Sequence, residues 1–279
     1  MKKFENIIIA SDLDGTFLSS ESKEIARNID KIKYFTTNGG SFTFATGRTF
    51  SFAFPVTPNC REYVNVPLVT ANGMVLYDVK RDMPIREKFF DTELMCDIID
   101  YLYDKYPDVC YRAMNDKGMM TFQPENRFIK LAIEDFGTDI VSIVERHEFH
   151  KHKFYKLTLR DEYDVLLDVQ AELSKIYEGR IDMCFSAKTI LEIMPIGMSK
   201  ATALIELRDM LSASGEKKLL YAVGDHENDI EMLKYADVSV CPANAIAKVK
   251  AICDIQLCDN NAGVIADLIE KLDKDIKLQ

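Results

Sequence analysis

Two aspartates stand one residue apart directly after an apolar run near the start of the chain. The stretch reads IIIASDLDGT, residues 7–16, and carries its carboxylates at Asp12 and Asp14. Residues two apart in an extended chain point the same way, so both carboxylates can face one spot. Held ~4 Å apart they would repel by a few kcal/mol at an effective dielectric of about 20, and a carboxylate at the end of a buried strand needs a partner. The spacing therefore predicts a cation at this spot.

Three further stretches place polar residues at the border of an apolar run, and they read FATGR, GMSKAT and VGDHENDIEML. Their candidate side chains are Thr46, Lys200, Asp225, Asn228 and Asp229. Ligands bind at the carboxyl ends of the strands in open α/β sheets, so we expect the groups that follow strands to meet at one edge. Lys200 begins a helix instead, and its long side chain can reach the same edge.

This inventory suits a divalent metal and a phosphoryl group. Magnesium prefers oxygen ligands, usually a few carboxylates with waters and a substrate phosphate. A phosphoryl group brings further negative charge, which Mg²⁺ and Lys200 together would balance against the carboxylates. The sequence therefore predicts a Mg²⁺ site that handles a phosphorylated ligand.

The length, net charge and cysteine content of the chain limit the classes of molecule with which it can interact. The 279 residues suggest two domains or one elaborated domain. The formal net charge is −10 and no basic cluster outweighs it, which argues against nucleic acid and anionic membranes as partners. The seven cysteines include no CxxC pair, and the apolar stretch near the start is too short for a signal-peptide core. We therefore expect a cytoplasmic protein that acts on a small molecule.

Strand and helix patterns alternate at both ends of the chain but not in the middle. Buried strands followed by helices predict an α/β fold, a Rossmann-like doubly wound parallel sheet. Between about Pro84 and Ala187, hairpins mixed with helices predict an inserted α+β domain. We therefore expect a discontinuous core, residues 1–83 and 188–279, with the insert at 84–187.

In motif order the chain resembles the haloacid dehalogenase-like phosphohydrolases, and among them the Cof-type, class IIB branch with an α+β cap inserted in the core. DLDGT resembles the first motif, ATGR the second, SK at 199–200 the third and GDHENDIEML the fourth. The resemblance implies a phosphatase that works through an aspartyl-phosphate, with a cap that closes over the site and selects the leaving group.

The resemblance also implies a role for each motif residue. Asp12 would be the nucleophile, Asp14 the general acid and then the base for water, and Lys200 the charge that steadies the transition state. The groups implied for phosphoryl binding are Thr46, the Leu13 and Gly47 amides, and Asn228. The groups implied for Mg²⁺ are Asp12, the main-chain oxygen of Asp14, Asp225 and, in support, Asp229. Arg48 and Asn72 are implied as substrate contacts, although Asn72-Gly73 is more often a plain hairpin turn.

Several alternatives stay open at this point. A sugar phosphomutase shares the first motif and an inserted cap, and would need the cap to retain a bisphosphate. A catalytically idle sensor of phosphorylated metabolites would bind without turnover. The segment RHEFHKHK holds His147, His150 and His152; its spacing does not match a structural zinc site, so a solvated connector is favoured. We expect a monomer or a weak homo-oligomer.

Overall fold

The computed structural model describes residues 2–212, 215 and 217–277 of the chain. By its internal contacts the chain divides into two compact units. The first unit comprises Met1–Glu87 and Ser199–Gln279, and the second comprises Lys88–Met198. The chain thus leaves the first unit once and returns to it once.

The strands are β1 (Ile7–Ser11), β2 (Ser41–Phe44), β3 (Leu68–Thr70), β4 (Val75–Asp78), β5 (Met83–Glu87), β6 (Cys110–Asn115), β7 (Gly118–Thr121), β8 (Val141–Ile143), β9 (Lys156–Arg160), β10 (Ile181–Ala187), β11 (Ile190–Pro195), β12 (Leu219–Val223), β13 (Val238–Cys241) and β14 (Ile255–Gln256). The helices are α1 (Ala26–Thr37), α2 (Phe50–Ala53), α3 (Cys60–Tyr63), α4 (Thr92–Lys105), α5 (Arg127–Phe136), α6 (Tyr163–Ile176), α7 (Lys200–Leu211), α8 (Ile230–Tyr235), α9 (Ala247–Lys250) and α10 (Val264–Lys277).

The first unit is built on a parallel sheet in the order β14-β13-β12-β1-β2. Its central strand β1 is buried on both faces, as its run of isoleucines predicts. Ile7 and Ile9 face the core that includes residues of α1 and α10, while Ile8 and Ala10 face the core that includes residues of α7 and α8. The doubly wound parallel core predicted from the sequence is therefore confirmed.

A second, antiparallel sheet of the first unit runs in the order β3-β4-β5. Its first turn contains Asn72 and Gly73, at the position where the sequence predicts a hairpin. Arg86 on β5 donates to the carbonyl oxygens of Gly73 and Met74 at 2.7 and 2.8 Å, and to the carboxylate of Glu206 on α7 at 3.0 Å. These contacts tie the last strand before the exit of the chain to the first helix after its return.

The second unit is an α+β arrangement, as predicted for the insert. Its six-stranded sheet has the order β10-β11-β9-β6-β7-β8 and is antiparallel except for the β7–β8 pair. Leu157 and Leu159 of β9 point to one face of this sheet and join a core with residues of α4 and α6. The opposite face of the sheet carries polar side chains.

The division between the units falls at different residues from those predicted. β5 pairs with β4 through Val75 and Glu87, so the predicted boundary at 83/84 lies at the start of a strand of the first unit. β11 pairs with β10 and β9, so the predicted boundary at 187/188 lies in a hairpin of the second unit. Both differences arise because strand pairing, which depends on distant residues, decides where these two short runs belong.

Within residues 2–212, 215 and 217–277, none of the helices has the length and apolar character needed to cross a membrane.

Candidate active site

Three polar residues follow three neighbouring strands of the parallel sheet at the same edge. Ser11, the last residue of β1, is level with Phe44 of β2 and Val223 of β12. Asp12, Thr46 and Asp225 come one or two residues after these positions. The Asp12 amide donates to the Val223 carbonyl oxygen at 2.8 Å, which fixes the start of this loop on the sheet.

Lys200 reaches this edge from the first turn of α7. Its Nζ donates to Oδ1 of Asp12 at 2.6 Å and to Oδ1 of Asp229 at 2.7 Å, and the lysine is 1% exposed. Burial opposes its charge, but the Asp12 and Asp229 carboxylates outweigh burial and raise the pKa of Lys200. A lysine at a helix N-terminus is normally unfavourable, so its place here depends on these two carboxylates.

Three buried carboxylates surround this one lysine. Oxygens of Asp12, Asp225 and Asp229 lie within 4.8 Å of one another. Burial raises the pKa of Asp12 well above its ordinary value, and the neighbouring Asp229 carboxylate raises it further. Burial and Asp229 also raise the pKa of Asp225, to about 7. The cluster therefore carries more negative charge than Lys200 can balance, and it favours a further cation.

The oxygens of Asp229 are already engaged. Oδ1 accepts from Lys200, and Oδ2 accepts from the backbone amides of Asp225 and His226, each at 3.0 Å. The donor set of hard carboxylate oxygens fits a magnesium ion. Asp12 and Asp225 are the better placed ligands, and Asp229 mainly positions Lys200 and the loop of Asp225.

The Gly15-Thr16 pair of the first motif holds Asp225. The Thr16 hydroxyl donates to Oδ1 of Asp225 at 2.7 Å. Gly15 has φ +76°, and a Cβ at this position would lie 2.5 Å from Oδ2 of Asp225. Any other residue here would be strained and would push the carboxylate away. Asn244 fixes the turn from the other side by donating to the Gly15 carbonyl oxygen at 2.7 Å.

Asp14 does not join the buried cluster with its side chain. Arg48 donates from Nε and from one terminal nitrogen to the two carboxylate oxygens of Asp14, each at 2.7 Å. The Asp14 side chain is 49% exposed. This two-pronged pair engages both oxygens of Asp14.

The second motif is fastened to the hairpin turn of β3 and β4. The Asn72 amide donates to the Thr46 carbonyl oxygen at 3.0 Å, and the Ala71 amide donates to the Arg48 carbonyl oxygen at 2.8 Å. Ala71 and Asn72 adopt φ values of +50° and +53°. A positive φ costs an alanine about 1 kcal/mol or more, so the turn is strained where it supports Thr46.

The other predicted phosphoryl-binding groups lie on the same loops. Leu13 is buried in the core, with its backbone at the start of the wide turn Leu13–Phe17. Gly47 follows Thr46, and Asn228 lies on the short turn Glu227–Asp229 that leads into α8. The structure thus places Leu13, Gly47 and Asn228 on loops of the first unit.

Several supporting residues were not predicted from the sequence. Ser199 and Thr202 form a capping box at the start of α7, with the Ser199 hydroxyl accepting from the Thr202 amide at 3.3 Å. Thr16 and Asn244 support the loop of Asp225. A serine directly before a helix is a detectable N-cap signal, and Thr16 stands within the first motif. Asn244 has no comparable local signal.

The three histidines of the second unit lie on or beside the short helical turn Arg146–Lys151. His147 and His150 line a cavity of about 300 Å³ with Cys96, Ile99, Asp100, Arg146 and Phe149. Among the described residues, the metal-compatible group of His, Cys, Asp and Glu side chains is Asp12, Asp225 and Asp229.

Comparison with known proteins places this site in a family. A model of the haloacid dehalogenase-like hydrolases matches residues 9–269. The chain is 28% identical over 251 residues to the HMP-PP phosphatase of Serratia proteamaculans (strain 568), covering 88% of this chain and 86% of that protein. It is 26% identical over 288 residues to the 5-amino-6-(5-phospho-D-ribitylamino)uracil phosphatase YwtE of Bacillus subtilis (strain 168), covering 95% and 97% of the two chains.

Solved structures share the whole fold. SMU.1108c from Streptococcus mutans UA159 matches with a TM-score of 0.82 at 25% identity, covering 95% of this chain and 97% of that one. The haloacid dehalogenase subclass IIB sugar phosphatase BT4131 matches with a TM-score of 0.78 at 19% identity, covering 95% and 98%, which shows the likeness of fold. With a family model that spans most of its length, the chain belongs to the haloacid dehalogenase-like hydrolases, as its four motifs predict.

Proposed function

We propose that this enzyme is a Mg²⁺-dependent phosphatase that hydrolyses small phosphorylated metabolites in the cytoplasm through an aspartyl-phosphate on Asp12. The observation that carries the proposal is the buried Lys200 between Asp12 and Asp229, in a cluster that still has excess negative charge. The curated relatives, both named phosphatases, support the reaction class. Seven cysteines without a CxxC pair are typical of a reducing compartment.

Asp12, Asp225 and the main-chain oxygen of Asp14 are the groups that we expect to hold Mg²⁺. When bound, the ion would neutralise the carboxylates and the incoming phosphoryl charge. Residues of the chain itself would carry out nucleophilic attack, proton transfer and phosphoryl binding. Phosphoryl transfer depends mainly on positioning and charge stabilisation, and a buried site strengthens both.

In the first step a carboxylate oxygen of Asp12 attacks phosphorus. A bond forms between that oxygen and phosphorus while the bond to the leaving oxygen breaks, and Asp14 gives its proton to that oxygen. Lys200 binds Oδ1 of Asp12, which leaves Oδ2 as the attacking atom. Thr46, Asn228 and the amides of Leu13 and Gly47 would hold the phosphoryl oxygens.

In the second step water hydrolyses the acyl phosphate. Asp14 takes a proton from the water, whose oxygen attacks phosphorus while the bond to Asp12 breaks and phosphate leaves. Arg48 has to release Asp14 for either transfer, since it now occupies both oxygens. The pair therefore acts as a proton-transfer group that is held ready but blocked until a substrate displaces Arg48.

The direct test is hydrolysis of p-nitrophenyl phosphate with Mg²⁺ and with EDTA. We expect release of p-nitrophenol that requires the metal, because the carboxylate cluster alone repels an anionic substrate. Full release in EDTA would contradict the metal requirement. Binding of phosphorylated metabolites without turnover would favour the sensor, and turnover that requires a bisphosphate activator would favour the mutase.

Metal affinity should depend on pH through Asp225. Its pKa in the folded protein is about 7, above the ordinary value of about 3.9. Above pH 7 the carboxylate is ionised and ready to bind, whereas below it the metal must displace a proton. We expect the apparent Mg²⁺ affinity to fall by up to about tenfold per pH unit below 7. Isothermal titration calorimetry at several pH values measures this fall.

The raised pKa of Asp225 also makes the stability of the metal-free enzyme depend on pH. A raised carboxyl pKa means that the folded state holds the proton more tightly, so stability falls as pH rises from about 4 to about 7. We expect Asp225→Asn to reduce this fall and to weaken Mg²⁺ binding. A Mg²⁺ affinity that does not change between pH 5.5 and 8, or that survives Asp225→Asn, would contradict the assignment of Asp225 as a ligand.

A further inference from the structure

The six-stranded sheet of the second unit has one face on which positively charged side chains outnumber carboxylates. Strand alternation puts Tyr111 and Leu159 in the core with α4 and α6. The residues that alternate with these core residues along each strand point to the opposite side of the sheet, which we call the polar face. Its polar side chains include Arg112, Lys156, Thr158, Arg160, Asp182, Ser186 and Glu192. Asp182 accepts from the Gly197 amide at 2.6 Å. Arg112, Thr158 and Glu192 are paired across neighbouring strands and form one row.

Glu192, the carboxylate in this row, is held by other partners. Its Oε2 accepts from Lys156 Nζ at 2.6 Å, and its Oε1 accepts from the Ser186 hydroxyl at 2.8 Å. Lys156 and Glu192 are 3% and 5% exposed. Their charges offset one another within a compact buried pair, so Glu192 only partly compensates the arginines of this face.

Arg112 is buried, with 7% of its surface exposed. Across the described part of the chain, its Nε has no hydrogen-bond partner and no ion pair includes it. Thr158 beside it offers only a neutral hydroxyl. Burial lowers the pKa of Arg112 and the positive charge of Arg160 lowers it further, while Cys110 and the Glu192 carboxylate act in the opposite direction without outweighing burial. The charged guanidinium is therefore held in an unfavourable environment.

Arg160 repeats the pattern one row away. Its guanidinium lies 4.6 Å from the ring centroid of Phe128, so the ring orients it by a cation–π contact. Its Nε is also without a hydrogen-bond partner among the residues that the structure describes. The Nε donors of two guanidiniums on one face thus have no hydrogen-bond partner among the described residues.

Burying an unpaired charge is unfavourable, and a neutral residue of similar size at position 112 would avoid that cost. The guanidinium fork matches the geometry of phosphate and carboxylate oxygens. An anion from outside the chain would satisfy the donors of Arg112 and balance the charge of the face.

We propose that the polar face of the second unit binds the phosphate or carboxylate group of a small molecule, with Arg112 as the residue that pairs with it. Arg160 adds a second positive charge beside the bound group, and Thr158 offers a hydroxyl. The site stands on the second unit alone and does not depend on the reaction assigned to Asp12.

The test is calorimetric titration of the full-length enzyme with inorganic phosphate and with citrate in EDTA. Without metal, the acidic catalytic cluster disfavours anions, so binding reports mainly the polar face. We expect both anions to bind at millimolar concentration, and Arg112→Met to weaken them about 10- to 100-fold, the value of a charge-assisted hydrogen bond or two. Arg112→Lys should bind with intermediate affinity, because it keeps the charge but loses the fork.

Arg127→Met is the control. Arg127 belongs to the same unit, lies 4.5 Å from the Phe128 ring centroid and pairs with Glu162 at 2.7 Å, so its loss should leave anion binding unchanged. The melting temperature of ligand-free Arg112→Met should not fall, whereas an arginine with a structural role would lower it. Failure of the parent enzyme to bind either anion, or undiminished binding by Arg112→Met, would overturn the proposal.

Comparison of kcat/KM values shows whether the anion bound at the polar face is a group of the substrate or a separate molecule. If the group belongs to the substrate, Arg112→Met should lower kcat/KM for fructose 1,6-bisphosphate and leave p-nitrophenyl phosphate unaffected. If a separate anion occupies the site, neither kcat/KM should change although calorimetric binding is lost. Absence of hydrolysis by the parent enzyme would refute the proposed phosphatase activity, while the calorimetric result on the polar face would stand.

Discussion

Asp12→Asn should abolish turnover while leaving the enzyme folded. The substitution removes the attacking oxygen and keeps the shape of the side chain, so we expect kcat with p-nitrophenyl phosphate and Mg²⁺ to fall by at least ~10³-fold. Loss of a nucleophile that forms a covalent intermediate cannot be compensated by its neighbours, since Asp225 and Asp229 are fixed by Thr16 and by backbone amides.

The stability of Asp12→Asn provides a second measurement. Three carboxylates share one lysine in the parent cluster, and the substitution removes one negative charge. We therefore expect the melting temperature in EDTA to stay the same or rise, and the stabilisation by Mg²⁺ to shrink. Asp254→Asn is a suitable control, because Asp254 lies at the edge of β14 and accepts from Ser239 at 2.7 Å. A variant that keeps more than a few per cent of the parent rate would contradict the role of Asp12 as the nucleophile.

Lys200→Met should reduce both stability and turnover. The methionine leaves Asp12 and Asp229 facing each other without a cation, and breaking a buried ion pair from one side costs about 3–5 kcal/mol. The pKa of Asp12, already raised by burial and Asp229, should rise further and protonate the nucleophile at neutral pH. We expect kcat to fall by roughly 10²- to 10³-fold, and the remaining activity to increase with pH.

Arg208→Met is the control that separates the loss of stability from the loss of turnover. Arg208 lies on the same helix α7, is 3% exposed, and pairs with Asp237 at 2.8 Å. Its loss removes one positive charge from the helix without touching the catalytic loops, so it should lower the melting temperature but preserve kcat. If Lys200→Met kept the parent rate, or if both variants lost activity equally, the catalytic role of Lys200 would be wrong.

Much of the catalytic unit could be predicted because its signals are local. The isoleucine run before Asp12 marks a buried strand, and the carboxyl end of such a strand is where polar groups gather. The same reasoning applies to Thr46 and Asp225, and strand register then brings these residues together. Asn72-Gly73 likewise marks its own turn. In each case the relevant physics acts within a few residues.

The features that could not be predicted depend on distant partners. Lys200 and Asp12 are 188 positions apart in the sequence, and no periodicity shows that they meet. The pairing of Arg48 with Asp14 and the contact of Asn244 with Gly15 are similar cases. β5 and β11 have ordinary strand patterns, and only pairing across the chain assigns them to a unit. Arg112 is an ordinary strand arginine until its lack of a partner is seen.

The contacts of Arg86 have a consequence for how this enzyme can diversify. Arg86 holds Gly73, Met74 and Glu206 together, and a Cβ at Gly73 would lie 2.2 Å from the Ser199 carbonyl oxygen. Both ends of the intervening segment are therefore anchored by contacts that belong to the first unit alone. The inserted segment can therefore be exchanged for another, in evolution or by engineering, while the hydrogen bonds from Lys200 to Asp12 and Asp229 are preserved.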